Sequence, residues 1–330
     1  MDSFHTLMLD MSFPYYEKKQ IKLHHRIGAG YVGEVYLGSL TVDEETTNCV
    51  VKKVSSGNYD KGIHDSMLYQ DMIDEINVGE LFMGKSKHQI QFYGYSMFQK
   101  KGQLIIYLLM EKTTAQGDIS SYIASDKFWS SLTEEEYYNS PSHTILEHEG
   151  KFWEYTLPTN DKLNLMYQMC IAVQDLHTFN VVHCDLKPSN MLFTGTKVKL
   201  IDYNASQQMD NEMEVQGSSE SGTPGYMAQE MYDGWISYKA DIYSLGVSML
   251  EIWFGDIWCK KVDSYSKNRK YVLDYLYLLK KDNIALHNLI KQCISVEPKK
   301  RPLLEKILSN LDHIQSSNNQ LSENETGIVE

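Results

Sequence analysis

The chain has 330 residues, 42% of them apolar, and a formal net charge of −13. That length supports more than one sizeable core, and the apolar share excludes a disordered protein. The acidity excludes a nucleic-acid binder that relies on phosphate neutralisation and otherwise reads as a solubility feature.

Residues 1–20 read as an N-terminal extension; Asp2, Asp10 and Glu17 interrupt it, and it shows no signal-peptide pattern. Residues 21–40 alternate around glycines as a hairpin does, and 48–54 read as a further strand. Residues 66–85 carry Met72, Ile73 and Ile76 at helical spacing, while 90–97 and 104–111 alternate as strands. This predicts a small strand-rich domain with one helix, ending near residue 112. From 117 the chain turns helical, and a larger helical domain runs to about 312. Within it, 125–160 is too long for a compact connection and holds Phe128, Trp129, Phe152 and Trp153. It is either a functional insert, which could dock a partner, or a segment partly ordered against the helical domain. The polar, acidic stretch 313–330 predicts a disordered tail. No apolar run reaches membrane-spanning length. The five cysteines (Cys49, Cys170, Cys184, Cys259, Cys293) form no CxxC pair, which fits reduced thiols in an intracellular, cytoplasmic protein.

The chemistry-bearing string is His183-Cys184-Asp185-Leu186-Lys187-Pro188-Ser189-Asn190. It follows a helix-spaced apolar stretch, Leu163 to Leu176, and precedes Val198-Lys199-Leu200-Ile201-Asp202. One carboxylate, one cation and one amide thus share a single turn, and a second carboxylate follows 17 positions past the first (202 − 185). Phosphoryl transfer from ATP needs this set. One Asp orients the acceptor hydroxyl, a Lys neutralises the migrating phosphate, and an Asn and a second Asp hold metal. Upstream, Gly28-Ala29-Gly30-Tyr31-Val32-Gly33-Glu34-Val35 would let backbone amides approach phosphate oxygens. A dinucleotide-binding loop would enter a helix directly, whereas Val35-Tyr36-Leu37 continues as a strand. In Cys49-Val50-Val51-Lys52-Lys53-Val54, alternation puts the two lysines on opposite faces, so only one can point at a nucleotide. Lys52 is the better choice, because Val50 then falls where a small apolar residue would cover adenine.

Taken in order, these strings resemble the eukaryotic-type protein kinase family, and within it the serine/threonine kinases, over about residues 21–312. The resemblance implies an α+β, bilobal protein-kinase-like fold with a small β-rich N-lobe carrying one helix and a larger helical C-lobe. It implies ATP and Mg²⁺ as cofactors, and protein substrates with Ser/Thr acceptors rather than nucleic acid or a membrane span. By the same resemblance Asp185 is the catalytic base or hydroxyl-orienting group, and Lys187 neutralises the γ-phosphate. Asn190 and Asp202 ligate Mg²⁺, and Thr223, in Gly222-Thr223-Pro224-Gly225, bonds Asp185 and Lys187. Gly28, Ala29, Gly30, Gly33, Val35, Val50 and Leu192 surround the nucleotide. Met110 is the gatekeeper, Glu111 and Thr113 offer backbone groups to adenine, and Asp118 reaches the ribose. Lys52 holds the α- and β-phosphates and needs a helix carboxylate. Glu75 and Glu80 are both candidates, and Met72 and Val78 at helical spacing favour Glu75. Glu230 would pair with Arg301 as a buried structural bridge, and Asp241 would anchor the catalytic loop.

Three departures from the family pattern stand out. Gly79, four residues after Glu75, occupies the place of an apolar residue in the regulatory spine, so either Phe82 or Met83 compensates or this helix is poorly anchored. Asp202-Tyr203-Asn204 replaces D-F-G; the Tyr203 hydroxyl then needs a partner, and Asn204 is expected to tolerate a left-handed backbone. Cys184 replaces the Arg that pairs with an activation-loop phosphate. These departures support a second reading, a pseudokinase that binds nucleotide and acts as a scaffold. A neutral thiol cannot make a charge-assisted pair with phosphate. Replacing Ser218, Ser219 and Ser221 together by Ala should therefore leave peptide phosphorylation unchanged. A turnover number that rose by orders of magnitude when these serines were phosphorylated would overturn the expectation.

Overall fold

The alternating segments become one five-stranded antiparallel sheet, ordered β1-β2-β3-β5-β4. Its strands are β1 (Ile21–Ala29), β2 (Glu34–Val42), β3 (Glu45–Ser55), β4 (Phe92–Lys100) and β5 (Gln103–Glu111). The computed structural model describes residues 13–29, 33–56, 65–115, 117–123, 157–209, 214–217, 222–255 and 265–326. Gly30, Ser218, Ser219, Ser221 and positions 125–156 of the expected insert lie outside these residues. Two tight turns set the sheet's register. Asp43 and Glu44 (φ 48° and 70°) join β2 to β3, and Lys101 and Gly102 (φ 52° and 80°) join β4 to β5. Positive φ at both central residues matches the right-handed twist of the flanking strands. Ile21, Leu40, Cys49, Val51, Ile105, Tyr107 and Leu109 form the core of one sheet face.

The chain divides into two compact units. The first comprises Met1–Thr114 with Ile201–Ser206, and the second Ala115–Leu200 with Gln207–Glu330. The first carries the sheet and helix α1 (Asp65–Phe82). That helix stops three residues earlier than the apolar spacing predicts (82 against 85). Gly84 takes φ 71°, and Lys85 and Ser86 turn their N–H groups back to the Phe82 carbonyl. Of the expected N-terminal extension, Tyr16 N–H donates to Tyr95 O at 2.8 Å, so this stretch is seated against the sheet.

The second unit is helical, with α2 (Ile119–Ile123), α3 (Thr159–His177), α4 (Gln229–Tyr232), α5 (Tyr238–Phe254), α6 (Tyr265–Asp282), α7 (Ile284–Cys293) and α8 (Leu304–Thr326). Two-stranded pairs join them: β6 (Val181–Val182) with β9 (Gln207–Gln208), β7 (Met191–Phe193) with β8 (Val198–Leu200), and β10 (Val215–Gln216) with β11 (Trp235–Ile236). Helix α5 is buried from Ala240 to Phe254 and forms the unit's centre. Gly246 lets Ile294 approach it, since a Cβ there would lie 2.7 Å from Ile294 Cγ2. Arg301, 2% exposed, donates both terminal nitrogens to Glu230 and to the carbonyls of Lys239 and Val296. The tail expected to be disordered is instead helix as far as Thr326. Ile307, Leu308, Leu311 and Ile314 recur at helical spacing and are buried, and Asn160 donates to Asn319 Oδ1 at 2.8 Å. Of that stripe only Ile314 lies within the polar stretch 313–330, whose composition therefore concealed the helix's continuation.

Lys162 lies buried on α3, its Nζ 2.7 Å from the Trp253 carbonyl and 5.1 Å from the Trp253 ring. Burial lowers its pKa to about 8, opposed by Asp282. Between about pH 8 and 10.5 the unfolded chain then binds more protons at this site than the folded chain, so stability rises with pH. The parent should gain about 3 kcal/mol relative to Lys162→Met across that window in paired urea titrations. A difference that stayed flat with pH would contradict the buried, partly neutral lysine.

Candidate active site

In the first unit, β3 presents Lys52 and Lys53 on opposite faces. Lys53 Nζ meets Glu34 Oε2 at 2.9 Å, whereas Lys52 Nζ lies 2.7 Å from Glu75 Oε2 and 2.8 Å from Asp202 Oδ1. Lys52 is 8% exposed and Glu75 1%. Burial works against the ammonium, but the Asp202 and Glu75 carboxylates outweigh it and hold the Lys52 pKa above its ordinary value. Burial pushes the Glu75 carboxyl up, while Lys52 and a backbone hydrogen bond from Tyr203 pull it down. Of the two carboxylates weighed for Lys52, Glu75 is the one the helix turns towards it; Glu80, five residues on, faces another side.

The aromatic residues around this trio show how the departures from the family pattern are accommodated. A Cβ on Gly79 would lie 2.6 Å from Phe92 Cδ2, so the Phe92 ring occupies the space that a side chain at position 79 would need. Phe82 and Phe92 lie 5.0 and 6.1 Å from the Tyr203 ring, while Met83 is exposed. The Tyr203 hydroxyl donates to Gln89 Oε1 at 2.9 Å. Gln89 is fully buried, and no periodicity marked it as a partner. Within Asp202-Tyr203-Asn204 the left-handed backbone falls on Asp202 (φ 66°), and the tolerance expected of Asn204 is not called on. Asp is among the few side chains that tolerate this conformation, and it turns the carboxylate where the chain reverses.

The glycine-rich stretch separates into two roles. A Cβ on Gly33 would lie 2.4 Å from the Lys53 carbonyl, so glycine there serves the close approach of two strands. At Gly28, among the described residues, a Cβ would meet only Val35 Cβ, at 3.9 Å, an ordinary contact that makes no such demand. Ala29 is exposed at the end of β1. Val35 pairs with Lys52 across β2–β3, and Val50 with Met110 across β3–β5. Glu111 N–H is donated to Gln91 O at 2.8 Å, and its carboxylate accepts from Gln91 N–H. Thr113 is half-buried just beyond β5.

In the second unit, Asp185, Lys187, Asn190 and Thr223 converge. Lys187 Nζ lies 2.8 Å from Asp185 Oδ2 and also donates to Thr223 Oγ1. Thr223 Oγ1 donates to Asp185 Oδ1 at 2.6 Å. Asn190 Nδ2 donates to both the carbonyl and Oδ2 of Asp185 at 2.9 Å. The Asn190 amide oxygen is then the atom available to a hard cation, and Asp202 keeps 38% of its side chain exposed, so both donors suit Mg²⁺ chemically. Asp241, fully buried on α5, accepts the N–H groups of His183 and Cys184 and bonds His177 Nε2 at 2.9 Å. His177 carried no signal in the sequence beyond ending a helix. Asp118 bridges to Leu192 and caps α2, its Oδ1 accepting Ser121 N–H at 2.9 Å.

The fold and these clusters define a protein kinase. A model of the protein kinase domain matches residues 21–311, and the chain belongs to that family. It is 32% identical over 165 residues to the serine/threonine-protein kinase R436 of Acanthamoeba polyphaga mimivirus, covering 47% of this chain and 57% of that one. It is 28% identical over 148 residues to the serine/threonine-protein kinase MPS1 of Encephalitozoon cuniculi, covering 43% and 25%. It is 24% identical over 322 residues to the rice receptor-like kinase LECRK2, covering 90% and 34%. The chain thus spans less than two thirds of each of these relatives. No described helix is long and apolar enough to cross a membrane.

Cys184, 2% exposed, directs its thiol at the Val182 carbonyl (3.6 Å), and burial pushes its pKa well above the ordinary value. Burial likewise raises Cys170, and lifts Cys49 to about 11 and Cys293 to about 12. Since thiolate is the reactive form, iodoacetamide at pH 8 should leave all four unmodified by mass spectrometry until denaturant is added. Rapid native labelling of Cys184 would show that its loop opens.

Proposed function

We propose that the chain is a catalytically active serine/threonine kinase that transfers the γ-phosphate of Mg-ATP to protein hydroxyls. The observation that carries this reading is Lys52, an ammonium buried with Glu75 and paired with Asp202. Burying such charges costs several kcal/mol per ion before pairing, and apolar side chains of similar volume would fill the space as stably. A chain that had abandoned phosphate chemistry gains nothing from keeping them.

In this reading Lys52 binds the α- and β-phosphates, held in place by Glu75. Asp185 accepts the hydrogen bond of the substrate hydroxyl and orients its oxygen, and Thr223 already satisfies Asp185 Oδ1 with a hydroxyl of the same kind. Lys187 neutralises charge on the migrating group. Asn190 and Asp202 supply hard oxygens to Mg²⁺, which when bound neutralises the phosphate oxygens. The expected insert selects the protein substrate. Asp118 caps a helix through Ser121, and ribose binding would draw on the same carboxylate.

The competing reading, a nucleotide-binding pseudokinase, draws on Asn204 and on the burial of Cys184. Transfer of label from γ-labelled ATP with Mg²⁺ to a generic basic protein decides between them. The parent should label Ser or Thr, and Asp185→Asn should lower the rate roughly 10³-fold, within the range for a positioned proton acceptor. A folded parent that binds ATP but transfers no label would move the assignment to the pseudokinase.

A further inference from the structure

The stretch Phe13–Tyr16 precedes everything used for phosphotransfer, yet β4 is built to receive it. It lies parallel to β4, the sheet's edge strand, with a bridge between Tyr15 and Tyr95. Tyr16 N–H donates to Tyr95 O at 2.8 Å and Tyr95 N–H to Pro14 O at 2.9 Å, so both backbone groups of Tyr95 are engaged by this stretch. Gly94 has φ 150°, and a Cβ there would lie 2.3 Å from Pro14 O. A side chain at position 94 and the bound segment exclude one another, so the glycine keeps this berth open.

What the segment delivers is the Phe13 ring, 3% exposed. It stacks on Tyr95 (centroids 6.3 Å apart, planes 12° apart) and meets Phe92 edge-on at 6.3 Å. Phe92 is the ring that fills the space over Gly79 on α1 and lies 6.1 Å from Tyr203. Gly79 is one helical turn past Glu75, and Tyr203 follows Asp202. Phe92 thus bears on the helix and backbone that hold both partners of Lys52, and it also meets Phe13.

We propose that residues 13–16 are a positioning strap, and that Phe13, through Phe92, sets the seat of α1 and Tyr203 and with it the Lys52–Glu75–Asp202 arrangement. Phe13 touches no reacting atom. With glycine at position 79, Phe92 bears directly on the α1 backbone as well as on the Phe82 ring (centroids 6.3 Å apart), so the orientation of Phe92 is transmitted to the helix. Removing the Phe13 ring leaves a void beside Phe92 into which that ring can tilt.

The proposal rests on the phosphotransfer reading, and hydrogen exchange tests it without turnover. In Phe13→Ala, amides of 72–82 and 203–206 should exchange at least roughly tenfold faster while the β2–β3 hairpin keeps its protection. Turnover of a peptide substrate should fall roughly tenfold, about 1.4 kcal/mol, with the KM for the peptide held within about twofold. Phe13→Leu, which refills most of the void, should restore most of both. Unchanged exchange at both segments would overturn the proposal. So would faster exchange spread evenly over the sheet, which marks Phe13 as core filling only. A parent without turnover would sink the phosphotransfer reading and leave the exchange comparison to decide the strap.

Discussion

An ammonium buried with a carboxylate and paired to a second is the interaction on which the first unit's site depends. Lys52 loses most of its hydration at 8% exposure, and only well-placed counter-charges offset that loss. Glu75 and Asp202 come from a helix and from a chain segment about 150 positions after the lysine (202 − 52), so the pair constrains two distant pieces of backbone at once. The aromatic residues around it fix those pieces. Phe92 bears on the helix at Gly79, Tyr203 rests against Phe82 and Phe92, and the Tyr203 hydroxyl finds Gln89. Each is a packing or hydrogen-bond solution to holding two carboxylates where water would otherwise compete for the ammonium.

The second unit solves a related problem with one buried carboxylate. Asp241 receives the N–H groups of His183 and Cys184, so the backbone leading into Asp185 is anchored from α5 rather than by the side chain at position 184. That is why a buried, inert thiol is compatible with an ordered loop there. Cys184 and Asp202 both adopt φ 66°, a left-handed backbone that costs a non-glycine residue roughly 1–2 kcal/mol. One immediately precedes Asp185 and the other is itself a paired carboxylate, so the strain falls on the groups whose direction matters most.

Much of this was legible in the order of residues. The glycine-rich hairpin, the lysine strand and the string around Asp185 are local, and each carries its chemistry in residue type and spacing. Strand and helix existence followed from alternation and helical spacing, with ends displaced where the turn at Gly84 ended α1 at Phe82, three residues earlier than the spacing predicts. The C-terminal helix runs past the expected domain end at 312, because in the polar stretch 313–330 only Ile314 continues the buried stripe of Ile307, Leu308 and Leu311. Gly33 and Gly79 illustrate a further limit. Both read as departures from or matches to a motif, whereas each is glycine because another group, the Lys53 carbonyl or the Phe92 ring, occupies the space of its side chain.

The sequence by itself determined which groups can do chemistry, because a carboxylate, an ammonium or an amide keeps its chemical character wherever the chain places it. It also determined the sheet, because alternation and turn residues act over a few positions. Only the tertiary structure decided the partners. Glu75 rather than Glu80 for Lys52, Gln89 for the Tyr203 hydroxyl, His177 beside Asp241 and Phe13 against Phe92 all depend on how distant segments pack. Packing is set by the summed shape of many side chains, and no local spacing records it.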